Sequence, residues 1–195
     1  MGPMSPAFAT FLSPLVLAAS LLATLPAGAQ TVLPEQSEIA FTTRQMGVPV
    51  DGHFKRWSAQ LNFDPRQPQT AKVVFTIDTG SLSFGAAETE AEAAKPGWFH
   101  VAKFPQATFT SSSVRASGGG RFEVTGTLIL KGQSREVVVP VTLTPGAGGL
   151  SIASGSFQLR RLDFRLGDGD WNDPSLVANE VQVRLRLVIA GLGPL

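Results

Sequence analysis

The chain has 195 residues, a formal net charge of +1 and no cysteine. Without cysteine it can form no disulfide, no thiolate metal site and no cysteine nucleophile. The near-zero charge and the lack of a basic cluster give no electrostatic basis for binding nucleic acid.

The N-terminal segment has the pattern of a secretory signal peptide. Residues 11–25 are apolar but too short to span a bilayer comfortably, and Ala27-Gly28-Ala29 is a small-residue cleavage pattern. We therefore predict a signal peptide over residues 1–29 and one domain over residues 30–195 in an exported protein. Because the first ten residues contain no Lys or Arg, an uncleaved membrane anchor is the alternative.

From Gln30 onward apolar and polar residues alternate, which is typical of antiparallel strands with one buried face. Alternation is clearest over residues 181–187, and it recurs over residues 38–42 and 122–130. Further strands are predicted at residues 48–57, 59–63, 73–78, 107–113, 136–144 and 150–159. Many short strands with hairpin-length gaps predict an all-β sandwich or an up-and-down barrel, and the pattern does not choose between them.

One segment departs from this alternation. Residues 86–95 consist mostly of alanine and glutamate, which are strong helix formers, and Pro96-Gly97 ends the run. Because its only apolar residues are alanines, we predict a short surface helix laid across the sheet. Trp98 and Phe99, which follow directly, are its expected anchor.

The sequence offers no convincing catalytic or metal-binding set. His53 and His100 are the only histidines and have no partner at ligand spacing. Residues 168–173 resemble a calcium loop only in part, since Asp173 and Asn179 stand where glycine and glutamate are needed. We favour a polar turn there over a weak calcium site, and we predict no catalytic residue, no metal and no cofactor.

Arg161 and Asp163 share the strand parity of Phe157 and Leu159. On an unbroken strand both would point inward and could orient a polar head group at the mouth of a cavity. Alternatively, the strand ends near Arg160 and both are exposed, or the pair is purely structural. Thirteen phenylalanines and three tryptophans with no tyrosine favour a dry interior, which is either a filled core or a ligand cavity.

Several segments, in order along the chain, resemble the YceI-like family. They are Ser37-Glu38-Ile39-Ala40-Phe41, residues 50–57 with 61–65, Trp98-Phe99 with residues 101–111, Val124-Thr125-Gly126-Thr127-Leu128 with Lys131-Gly132, Arg161-Leu162-Asp163-Phe164, and Gly169-Asp170-Trp171. Two positions depart from the family's usual residues. Arg165 stands where the family commonly has glycine, and His100 where it commonly has Asp or Asn.

The resemblance implies a lipocalin-like, eight-stranded antiparallel barrel with a short helix inserted, located in the periplasm. It also implies that the barrel binds a long isoprenoid, of polyprenyl or ubiquinone type, without catalysis. The expected ligand-binding residues are Phe41, Phe54, Leu61, Phe63, Phe75, Trp98, Phe99, Phe104, Phe109, Leu128, Leu130, Phe157, Arg161, Asp163, Val183, Leu185 and Leu187.

Two rival functions stay open. One is an enzyme that acts on a lipid or quinone, and the other is a filled barrel that partners a membrane protein handling quinone. A homodimer is also left open by the sequence.

Overall fold

The computed structural model describes Gly2 and residues 30–193. The predicted signal peptide, residues 1–29, therefore lies outside the described residues except for Gly2. In the described part of the chain, no helix has the length and apolar character needed to cross a membrane.

Antiparallel strands make up most of the described structure. Their bounds are β1 Thr31–Val32, β2 Glu38–Gln45, β3 Val48–Phe54, β4 Trp57–Asn62, β5 Lys72–Asp78, β6 Leu82–Ser83, β7 Gln106–Gly118, β8 Arg121–Leu130, β9 Gln133–Pro145, β10 Ser151–Arg160 and β11 Glu180–Ala190. The strands pair in the order β4-β5-β7-β8-β9-β10-β11-β2-β3-β6, and β1 pairs with β11.

A bend between β3 and β4 closes this sheet into a barrel. β3 pairs with β2 and β6, whereas β4, three residues further on, pairs with β5 at the other end of the strand order. At the bend, Lys55 N–H donates to Ser81 O and Asp78 N–H donates to Arg56 O. Counting β3 and β4 as one bent strand and setting aside the two-residue β1 and β6 leaves eight long strands. The predicted eight-stranded barrel is confirmed, and a sandwich is excluded.

The seam between β1 and β4 is held by a side chain instead of a backbone ladder. The Gln30 amide nitrogen donates to Phe63 O at 2.5 Å, and its oxygen accepts from Phe63 N–H at 2.8 Å. A glutamine side chain carries the same donor and acceptor as a peptide group, so Gln30 continues the pairing past the end of β1.

The predicted helix is present but shorter than expected. Helix α1 spans Ala87–Ala93, and the chain leaves it through Pro96 and Gly97. The predicted strand over residues 107–113 is longer in the structure and ends at Gly118. A bulge between Ser111 and Ser113 moves the inward positions from odd to even numbers. Because the apolar–polar alternation breaks at this bulge, the sequence pattern did not predict the second half of the strand.

The type of residue that adopts left-handed backbone angles differs between the two ends of the barrel. Among the described residues, four that are not glycine have positive φ: Met46 (49°), His100 (50°), Lys131 (47°) and Arg165 (56°). The turns at the other end, β7–β8 and β9–β10, use the glycines at 118–120 and 148–149 for these angles. Non-glycine residues pay a conformational cost there that glycine avoids.

The core forms three clusters of buried apolar residues inside the barrel. One lies around Phe63, Phe122 and Leu143, a second around Leu128 and Phe164, and a third around Phe41, Leu82 and Ala93 of α1. The third cluster connects helix α1 to the barrel, so the helix covers one end of the interior.

Candidate ligand-binding cavity

Two apolar chambers follow one another along the barrel interior. The mouth chamber, next to α1, has a volume of about 230 Å³ and reaches Val181, Leu159 and Leu130. The inner chamber has a volume of about 150 Å³ and reaches Leu187 and Leu143 at the opposite end. Five residues line both chambers and mark their junction: Ile39, Ile77, Leu128, Phe157 and Val183. A long apolar molecule that enters at α1 can therefore continue towards the far end of the barrel.

Most of the sequence-predicted ligand-binding residues line these chambers. The mouth chamber is lined by Phe41, Phe54, Trp98, Phe99, Leu130 and Arg161, the inner chamber by Leu61, Phe63, Phe75, Phe109, Leu185 and Leu187, and both by Leu128, Phe157 and Val183. Strand alternation brings most of them together, because successive side chains on a strand point to opposite faces. Trp98, Phe99 and Arg161 lie outside the strands and reach the mouth chamber from loops.

Phe104 and Asp163 do not line either chamber. The Phe104 ring packs edge-on against His100, with centroids 5.7 Å apart, and lies over Gly132. Asp163 is exposed in the turn Arg161–Phe164 that follows β10. The strand ends at Arg160, so strand parity no longer governs where residues 161 and 163 point.

Arg161 reaches the cavity wall but is fully engaged by the backbone. Its guanidinium donates to the carbonyl oxygens of Ala178, Leu166, Gly167, Trp171 and Val177 at 2.7–3.1 Å. It is 2% exposed, and burial lowers the pKa of its guanidinium. No carboxylate among the described residues pairs with it. The strand ends at Arg160, as the alternative expectation had it, so Arg161 and Asp163 do not form an inward-facing pair. Arg161 ties the 161–178 segment to the end of the barrel.

A second buried cation joins two loops at the same end. Lys131 Nζ donates to Gly97 O and Arg165 O, and it lies 3.3 Å from the Asp168 carboxylate. Its ammonium therefore holds the loop after α1 against the loop after β10. Sequence reasoning missed this role, since Lys131 appeared only in a segment that resembles the YceI-like family.

Aromatic rings fill the space left by inward-facing glycines. A Cβ added to Gly52 would lie 2.4 Å from Phe41 Cζ, and one added to Gly126 would lie 2.5 Å from Phe109 Cζ. Gly52 is the direct cross-strand neighbour of Phe41. The missing side chains let each ring lie flat against the wall, so both rings line the cavity without blocking it.

Helix α1 is fastened over the mouth chamber by a carboxylate. Glu90 accepts hydrogen bonds from the Ser83 hydroxyl at 2.8 Å and from the N–H groups of Phe84 and Gly85. The Ser83 hydrogen bond, with the Phe84 amide, lowers the pKa of Glu90. Beneath the helix, the ring of Phe41 contacts Phe84 and Phe54, with centroids 5.6 and 5.7 Å apart.

Polar groups in the cavity wall are few and lie in the mouth chamber. Thr43, Gln45, Thr89 and Glu92 belong to its lining. The Thr43 hydroxyl is buried and has no hydrogen-bond partner among the described residues. A buried hydroxyl without a hydrogen-bond partner lowers the stability of the fold. Thr43 is therefore the polar residue of the wall whose hydrogen bonding is incomplete among the described residues.

Neither histidine belongs to the cavity lining. His53 is exposed on the outer face of β3, and His100 lies in the loop after α1 against Phe104. The described residues contain no group of three or more His, Asp or Glu side chains arranged to hold a metal ion. Residues 169–171 form a short 3-10 turn.

Comparison with known proteins agrees with this architecture. A model of the YceI-like domain matches residues 30–189. Protein YceI of Salmonella arizonae is 41% identical over 92 residues, 47% of this chain and 46% of that protein. The chain thus spans about half the length of the curated relatives it matches.

Two solved structures share the fold. The crystal structure of Burkholderia cenocepacia BcnA is 38% identical, with a TM-score of 0.77 over 80% of this chain and 98% of BcnA. A polyisoprenoid binding domain from Saccharophagus degradans, implicated in plant cell wall breakdown, gives a TM-score of 0.67 at 15% identity. It covers 83% of this chain and 97% of that domain, a likeness that shows the fold alone.

Proposed function

The chain belongs to the YceI-like family, and on that premise we propose that it binds a long isoprenoid lipid inside the barrel, in the periplasm. The observation that carries this proposal is the pair of apolar chambers that meet at Val183 and Phe157. Each buried CH₂ group contributes about 0.8 kcal/mol, so a chain that fills both chambers gains affinity without charged contacts. The name of the Saccharophagus degradans domain supports the ligand class.

The cargo is a polyprenyl or ubiquinone-type molecule that the protein sequesters or carries without chemical change. The tail lies along the two chambers, and the head group stays in the mouth chamber, where the few polar side chains are found. We expect no turnover of the ligand. Export through a cleaved signal peptide over residues 1–29 forms part of the same proposal.

Native mass spectrometry and lipid extraction of the purified protein test this function. We expect a co-purifying isoprenoid that dissociates as one molecule per chain. Val183→Trp places a large ring at the junction of the chambers and should abolish this co-purification. Val138→Trp is the matched control, because Val138 is 46% exposed on the outer face of the barrel. Equal lipid content in both variants, or no lipid in the unmodified protein, would contradict the proposal.

Turnover is tested by incubating the purified protein with a supplied isoprenoid and extracting the isoprenoid again. A chemical difference between the supplied and the extracted molecule, if it is lost in His100→Ala, would favour an enzyme instead.

A further inference from the structure

We propose that the mouth end of the barrel docks on a phospholipid bilayer through an apolar tip formed by Met46, Val48 and Leu176. The proposal rests on the lipid-binding function above and names the surface from which the ligand is collected. Met46 is 72% exposed, Val48 63% and Leu176 40%. They lie side by side, since Met46 N–H donates to Leu176 O at 2.8 Å and Val48 follows the same turn.

The conformation at Met46 is unfavourable for its residue type. Met46 and Gly47 connect β2 to β3 with φ of 49° and 81°. Two-residue hairpin loops with positive φ at both positions favour Asn-Gly or Asp-Gly. Methionine in this conformation is strained, and at 72% exposure it gains nothing from packing. Neither the turn nor contact with water accounts for methionine at this position, whereas burial in a bilayer would.

The tip is continuous with the wall of the mouth chamber. Val48 lies two residues before Val50 on the cavity-facing side of β3, and Leu176 directly precedes the buried Val177. Val177 also bridges to Gln45 on the chamber wall. An apolar track therefore leads from the exposed tip into the cavity, and an isoprenoid could follow it without crossing water.

Charges beside the tip favour a zwitterionic bilayer. The Arg44 guanidinium donates to Gly47 O at 3.1 Å and forms no ion pair with a described carboxylate, so it can bind a lipid phosphate. Across the mouth, Asp168, Asp170 and Asp173 are exposed on the loop that leads to Leu176. These carboxylates disfavour a strongly anionic surface. The tip therefore suits an interface in which apolar side chains insert and one arginine stays at the phosphates.

Flotation of the exported form, residues 30–195, with phosphatidylcholine vesicles tests the docking. We expect the protein to float with the vesicles and the double variant Met46→Asn, Val48→Thr to bind about tenfold more weakly, since it removes the apolar tip. Asparagine suits the turn, so the melting temperature of the variant should be unchanged or higher. Val138→Thr, which makes the same change on the outer wall of the barrel, should float like the unmodified protein.

Binding of geranylgeraniol delivered without vesicles separates docking from cargo binding. The tip variant should keep its affinity for this isoprenoid alcohol, because the tip lies outside the two chambers. If the unmodified protein binds geranylgeraniol but fails to float, the docking proposal is overturned in favour of a protein partner, and the proposed function stands. If it floats through the tip but binds no isoprenoid, docking is supported and the proposed cargo is refuted. Flotation of the tip variant at the unmodified level overturns the proposal.

Discussion

Replacing Arg161 tests whether this residue supports the fold or binds the ligand. Arg161→Met keeps most of the apolar stem and removes all five hydrogen bonds to backbone carbonyls. If Arg161 is structural, the variant loses stability in the 161–178 segment. If it served mainly as a head-group contact, the variant would lose ligand affinity and keep its stability.

The expected loss of stability follows from the burial of the carbonyl groups. Each buried carbonyl left without its donor costs about 1–3 kcal/mol, so the variant should lose several kcal/mol of stability. Summing five separate bonds would overestimate the effect, because the guanidinium was itself removed from water. Domains of this size have a total stability of about 5–15 kcal/mol, so the variant should unfold at much lower denaturant concentration.

Urea denaturation followed by tryptophan fluorescence measures this loss directly. The guanidinium lies 5.6 Å from the Trp98 ring, and Trp98 lies 6.1 Å from Trp171, so the emission reports on the same segment. Arg160→Met is the control, since Arg160 is exposed at the end of β10. A free energy of unfolding for Arg161→Met within about 1 kcal/mol of the control would refute the structural role.

Three further predictions concern the cavity and its helix. Thr43→Val removes a buried hydroxyl without a described partner and should raise the ligand-free stability by about 1 kcal/mol, measured by thermal denaturation; a decrease would show that the hydroxyl is satisfied. Gly52→Ala brings a methyl group against Phe41 and should destabilise by about 1–3 kcal/mol in urea, whereas Gly97→Ala, with nothing closer than 3.9 Å, should be near neutral. Because the pKa of Glu90 is lowered in the fold, its contribution is present above pH 4.5 and is lost as the pH falls through the lowered pKa. The protection factors for amide exchange in α1 should therefore fall in that acidic range, and an equal fall in Glu90→Gln at neutral pH is expected.

Strand alternation predicted the lining of the cavity because the barrel obeys it over long stretches. On β11, Val183, Leu185 and Leu187 all face inward, as their odd positions indicate. The same rule failed at Arg161 and Asp163, where the strand ends one residue earlier. The expected set omitted Ile77, although this residue has the parity of Phe75 on the same strand and lines both chambers. The rule itself missed Trp171, which comes from a distant loop. Contacts made by loops depend on tertiary packing that no local period encodes.

The two departures from the usual family residues have a shared physical basis. Arg165 and His100 both have left-handed backbone angles, with φ of 56° and 50°. Glycine at the first position and Asp or Asn at the second are the residues that adopt such angles most readily. The residues that are usual at these positions therefore suit the left-handed angles. With Arg165 and His100 in their place, the neighbouring Leu166 and Phe99 still line the mouth chamber. Sequence reasoning noticed both positions but could not assign the cause without the dihedral angles.

The four strained non-glycine residues have a consequence for protein engineering. Met46, His100, Lys131 and Arg165 each adjoin a residue of the mouth chamber, and each holds an angle that costs roughly 1–2 kcal/mol. Glycine or asparagine at Met46, His100 and Arg165 offers stabilising substitutions confined to one end of the barrel. Lys131 is not among these sites, because its ammonium holds two loops together. A variant series that relieves the strain at one site at a time would measure how much stability these backbone angles cost at this end of the molecule.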